Sequence, residues 1–191
     1  MNEALTDPIL ISFSVGLLVS TYLMFANKEK STTKLLMSSL LFGGIGIISS
    51  TYTYIIHNKM IVQGTTSFCS SEGFIQCGSV IGDPDWNNLF GIPWGIFGIL
   101  SFSLLIFLSL CLYLDRHAKW VDDYLNYSWW ASLAGLPFVA LLVAIELTQV
   151  EQAPHICPFC TIAHLSLIGY VAAIYYLKIN KSHGKWSEQG R

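Results

Sequence analysis

Five apolar runs dominate this chain and leave few folds open to it. They are Pro8 to Ala26, Leu35 to Ile56, Gly91 to Leu114, Trp129 to Val150 and Cys157 to Ile179. A helix rises about 1.5 Å per residue, so about 20 apolar residues cross the roughly 30 Å of hydrocarbon in a bilayer. Extended strands are ruled out, because an open sheet edge in lipid strands unpaired backbone groups. No period-2 alternation suggests a barrel. A soluble bundle would need a polar coat, but only 12% of the 191 residues are charged and 53% are hydrophobic. Soluble chains carry about 25% charged residues. The expected class is an all-α integral membrane protein. Disorder is excluded by the hydrophobicity. Nucleic-acid binding is excluded by a net charge of −2 and the lack of a basic patch.

Charge placement orients the bundle. Lys28, Lys30 and Lys34 follow the first run, Arg116 and Lys119 follow the third, and Lys178, Lys181, Lys185 and Arg191 follow the fifth. Lys59 alone lies on the other side. By the positive-inside rule this predicts a multi-pass protein of the plasma membrane, with the N-terminus and the 57–90 loop extracytoplasmic and the C-terminus cytoplasmic. The first run reads as a retained helix, since Met1 to Asp7 holds Glu3 and Asp7 and no cation, unlike a signal peptide. Gly43, Gly44, Gly46 and the Gly91-Gly95-Gly98 series suit close helix packing. Trp129 and Trp130 are expected at a helix start as interfacial anchors. The second half of the 57–90 loop reads as an amphipathic surface segment or a lid over the bundle mouth.

Four of the five cysteines fall on the extracytoplasmic side. Cys69 and Cys77 lie in the long loop, and Cys157-Pro158-Phe159-Cys160 opens the last helix. Cys111, deep in the third run, reads as a packing residue. A CxxC at the first turn of a helix lets its sulfurs meet, and Pro158 suits that turn because its missing N–H costs nothing there. Such a pair is expected to be reducible rather than structural. His155 and His164 flank it. Three arrangements compete. A four-thiolate zinc site is disfavoured by the Cys69–Cys77 spacing, so no metal is expected. Two structural disulfides would suit an extracellular loop, but a bridge within a CxxC closes too short a loop to remove much chain entropy. A redox relay would use a loop-borne pair for a soluble partner and a pair at bilayer depth for a lipid-soluble acceptor.

The Cys69…Cys77-Gly78-Ser79-Val80 loop, the Phe90-Gly91-Ile92-Pro93 segment and the terminal CxxC resemble the vitamin K epoxide reductase (VKOR) family, above all its prokaryotic members. The resemblance runs over about 35–180, with the loop pair first and the CxxC last. It implies a four-helix VKOR-like bundle at 35–180, preceded by one additional N-terminal transmembrane helix and cytoplasmic loop at 1–34 and followed by a cytoplasmic tail at 181–191. It further implies a quinone (ubiquinone or menaquinone) and electron flow from a thioredoxin-like protein. By position, Cys69 and Cys77 would be the shuttle pair, Cys77 would attack Cys157, and Cys160 would be freed to reduce the quinone. The net reaction would be quinone-dependent thiol oxidation that reoxidises the extracytoplasmic partner and drives disulfide-bond formation. With no fused thioredoxin domain after Ile179, that partner would be a separate chain.

The sequence departs from the family where Gly82 and Asp83 stand near an expected hydroxyl residue, Ser79 being the nearest one. His164 and Trp94 occupy places that bind quinone oxygens in animal members. Phe90 and Trp86 are candidates for the quinone mouth, with interfacial anchoring as the alternative. His164 reads equally as a bundle histidine. Glu146, within two turns of the end of the fourth run, reads as a carboxylate reaching the interface, with proton relay as the second reading. The alternative class for the whole chain is a membrane scaffold or transporter with a disulfide-stapled loop.

Overall fold

Helices occupy all five apolar runs, as backbone satisfaction in lipid demands. The computed structural model describes residues 7–25, 31–63, 74–150 and 153–186. The long helices are α1 (Pro8–Phe25), α2 (Thr32–Gln63), α4 (Trp94–Leu114), α5 (Val121–Thr148) and α6 (Pro158–Ser182). Each is long and apolar enough to cross a membrane, and the protein is an all-α, multi-pass membrane protein. A one-turn helix, α3 (Gly78–Ile81), and a two-stranded hairpin, β1 (Asn88–Leu89) with β2 (Ile92–Pro93), lie between α2 and α4.

Several boundaries differ from the sequence expectation. The 32 residues of α2 span roughly 48 Å at about 1.5 Å each, so the helix overshoots the hydrocarbon. Its end supports the loop instead, with Met60 packed beside Gly82. The fifth helix in the chain, α5, starts at Val121, so Trp129 is two turns inside it. There Trp129 packs against Tyr175 and beneath Lys178, tying α5 to α6, rather than starting a helix. Gly91 is not helical. It sits at φ +81° beside Phe90 at φ 54°, making the hairpin turn, and glycine meets that left-handed requirement at little cost. The expected Gly91-Gly95-Gly98 packing series therefore begins at Gly95.

α2 is the centre of the bundle, packed on α1, α4 and α6, while α5 leans mainly on α4 and α6. Small residues set these approaches. A Cβ on Gly95 would lie 2.9 Å from the Ser50 carbonyl, and one on Gly98 would strike the Ser50 hydroxyl. Gly43 admits Ile106 and Gly46 admits Phe102, both from α4, but Gly44 faces nothing within 4 Å. Between α4 and α6, the Tyr170 hydroxyl bonds Ser109 (2.7 Å) and donates to the Leu105 carbonyl (2.8 Å), and Ser39 extends this chain to α2. At the far end, Trp186 donates to the Arg116 carbonyl (2.8 Å) and Lys181 pairs with Asp122 (3.4 Å).

Candidate active site

The opposite end of the bundle gathers the starts of α1, α4 and α6 and the ends of α2 and α5. The CxxC is held there by three elements. Cys157 caps α6 in extended conformation, and Pro158 follows at N1. The Cys157 sulfur accepts the Cys160 N–H at 3.3 Å. Ser49 of α2 donates to the Phe159 carbonyl (2.7 Å). The Phe159 ring, fully buried, packs on Tyr52 of α2 at 4.5 Å and edge-on to Phe13 of α1 at 6.3 Å. The additional first helix thus forms part of the wall behind the cysteines.

The loop cysteine reaches the same place through backbone pairing. Ile75 and Ile156 form a parallel bridge, in which Gln76 N–H donates to the Ile156 carbonyl (3.1 Å) and Ile156 N–H to the Phe74 carbonyl (3.0 Å). One residue further on, Cys77 and Cys157 are both 0% exposed and share one apolar cluster with Ile56, Ile81 and Phe159. Cys77 is disulfide-bonded, whereas Cys157, Cys160 and Cys111 are free. Cys69, the expected partner of Cys77, lies outside the described residues.

Cys160 faces the other way, into a cavity of about 390 Å3 bounded by α2, α4, α5, α6 and the loop. Its walls are mainly apolar, and four ionisable side chains reach it: His57, Glu146, Cys160 and His164. That size and lining match a site for a small, largely apolar ligand held by a few polar groups. The loop roofs it. Asp83 accepts the N–H groups of Asp85 (2.9 Å) and Trp86 (3.2 Å), and Trp94 donates its indole N–H to the Trp86 carbonyl (2.9 Å). Trp86 and Trp94 line the cavity with Val80, Ile81 and Leu89, so the lid reading describes this segment. Phe90 does not line it. At 93% exposure it stands out from the hairpin turn, whereas Trp86, Trp94 and Leu89 are among the lining residues. Ser79 lies beside this wall with a buried hydroxyl that has no partner among the described residues.

His164, one turn after Cys160, lines the cavity and makes no hydrogen bond among the described residues. His57 was not singled out from sequence. Its Nδ1 lies 3.2 Å from the Ile81 carbonyl, which accepts, and it joins α2 to the lid. A histidine near the end of an otherwise apolar run was the available signal. Glu146 is turned into the bundle. It is 5% exposed, accepts the Cys157 N–H at 3.3 Å, and lines the same cavity as Cys160. Its backbone carbonyl also holds the His155 N–H (3.0 Å). No group of three or more metal-ligating side chains occurs among the described residues.

Fold and site together define a multi-pass membrane protein with a thiol pair set between a cysteine-bearing loop and an apolar cavity. The vitamin K epoxide reductase family profile matches residues 37–177, most of the chain. The chain belongs to that family, and with it to the membrane thiol–disulfide oxidoreductases. No curated protein matches the chain at a significant level.

Proposed function

We propose that the protein is a quinone-dependent thiol oxidase of the plasma membrane that reoxidises a separate, extracytoplasmic thioredoxin-like protein. The observation that carries this reading is the position of the CxxC. Cys157 is buried beside Cys77, while Cys160 opens into the cavity. One thiol pair therefore touches both the loop that a soluble partner reaches and the space a lipid-soluble acceptor fills. The positive-inside pattern supports an extracytoplasmic position for this end, where disulfides persist.

The reaction divides into exchange steps. The reduced partner's two thiols reduce a Cys69–Cys77 disulfide and leave as a disulfide. Cys77 then attacks Cys157 of the Cys157–Cys160 disulfide, forming a Cys77–Cys157 bond and releasing Cys160. Attack by Cys69 on Cys77 restores the loop disulfide and leaves Cys157 and Cys160 as thiols, the state in which Cys77 is bonded and the CxxC is free. Oxidation of Cys157 and Cys160 back to a disulfide yields two electrons and two protons, which a bound quinone takes up as hydroquinone. His164 would hold a quinone oxygen, and Trp86 and Trp94 would cover the ring.

The test is turnover of a reduced thioredoxin-like protein by the purified enzyme with and without added quinone, alongside Cys160→Ala. Quinone-dependent turnover and a trapped Cys77–Cys157 bridge are expected. Turnover indifferent to quinone overturns the acceptor assignment. Cysteines that stay locked in redox buffer, with no loss of cellular disulfide formation in Cys157→Ala, favour the scaffold.

A further inference from the structure

We propose that Glu146 is the proton acceptor for the Cys160 thiol, taking its proton as the sulfur becomes the electron donor and delivering it into the cavity. The inference rests on the thiol-oxidase reading and adds a residue to it. Three observations carry it. Glu146 is a carboxylate 5% exposed in an apolar helix, a costly placement that marks function when no cation neutralises it. The salt bridge among the described residues lies at the other end of the bundle. One carboxylate oxygen holds the Cys157 N–H, so the side chain is fixed against the CxxC. Glu146 also lines the same cavity as Cys160, the other cysteine of that CxxC.

The other ionisable groups around the cavity are less well placed. His57 on α2 is committed through Nδ1 to the Ile81 carbonyl. His164 on α6 lines the cavity one turn below Cys160 and, unlike Glu146, is not fixed to the CxxC by a hydrogen bond among the described residues. His155, before the CxxC, has both ring nitrogens buried without a partner among the described residues and is not among the lining residues. α4 contributes no ionisable group to the wall.

The step balances. Cys157 and Cys160 lose two protons and two electrons and gain one S–S bond. The quinone gains both electrons and both protons, one of them through Glu146, which ends the cycle ionised as it began.

Glu146→Gln keeps an oxygen for the Cys157 N–H and keeps the volume, but cannot take the proton. General-base removal costs about 100-fold or more, so quinone reduction is expected to slow by about that factor, with Glu146→Asp recovering part of the rate. A second measurement needs no quinone: the rate at which iodoacetamide alkylates Cys160 in a Cys157→Ala background. A base speeds thiolate formation, so Glu146→Gln is expected to slow alkylation about tenfold. A carboxylate that is merely a negative neighbour opposes thiolate formation, so the same change would speed alkylation. Faster or unchanged alkylation overturns the proposal. If wild type does not use quinone and Glu146→Gln still slows alkylation, the base assignment stands and the acceptor assignment falls. If wild type reduces quinone and Glu146→Gln matches it, the base assignment falls alone.

Discussion

The face where α2 meets α4 and the face where α4 looks toward α5 are built from different residues. On the first, Gly43, Gly46, Gly95 and Gly98 let Ile106, Phe102, Ser50 and Tyr54 seat directly against the opposing backbone. On the second, Phe97, Leu104, Phe138 and Leu142 stand between the helices around the cavity, and Leu104 and Phe138 remain about half exposed. Pro137 also interrupts the α5 backbone ladder on that side. In lipid, helices gain nothing by merely hiding apolar surface from one another, so close contact needs small residues and well-fitted shapes. Where these are supplied the bundle closes, and where bulky side chains replace them it leaves room for a ligand. Cys77, Cys157 and Cys160 sit at the end of the bundle where the closed seam and the open side meet.

The sharpest break of this comparison is chemical. Cys157→Ala removes the sulfur that links loop to cavity, and thiol oxidation is expected to fall at least about a thousandfold with the fold intact, measured as partner oxidation together with a melting curve. Next is the open side. Ala134→Phe puts a ring into the cavity without touching the glycine seam. An overpacking cost of about 1–3 kcal/mol corresponds to roughly ten- to hundredfold weaker binding, so the quinone concentration for half-maximal rate should rise by that factor at unchanged melting temperature. A lower melting temperature with unchanged quinone dependence would mean that the two sides are not separate in function. On the closed seam the pattern reverses. Gly46→Leu drives side chain into the Phe102 ring and is expected to cost about 1–3 kcal/mol of stability, read as an earlier thermal transition in detergent. The smallest effect belongs to Tyr170→Phe, which deletes a hydroxyl bonded to Ser109 and Leu105. About 1 kcal/mol of stability is expected to go, with the rate of quinone reduction unchanged.

Much of the bundle was legible in the residues. Apolar runs of spanning length dictate helices whatever they pack on, and the Cys157-Pro158 pair marks a helix start by its own stereochemistry. The edges were less so. Val121 to Ser128 carries Asp122, Asp123 and Asn126, so hydropathy alone starts the helix two turns late at Trp129. The Phe90-Gly91 turn stands at the edge of the Gly91 to Leu114 run, where hydropathy starts the helix three residues ahead of Trp94.

What the sequence determined alone is the number and kind of spans and the thiol chemistry at the head of α6, because both follow from local properties of the chain. Which face of each helix meets protein and which meets lipid was decided only in the tertiary structure, since both surroundings accept the same apolar side chains. That decision turned Glu146 and His57 inward, set Gly95 and Gly98 against α2, and opened a cavity beside Cys160. The parallel bridge between Ile75 and Ile156 likewise joins segments about 80 residues apart. No local pattern encodes that pairing, and it is what brings Cys77 beside Cys157.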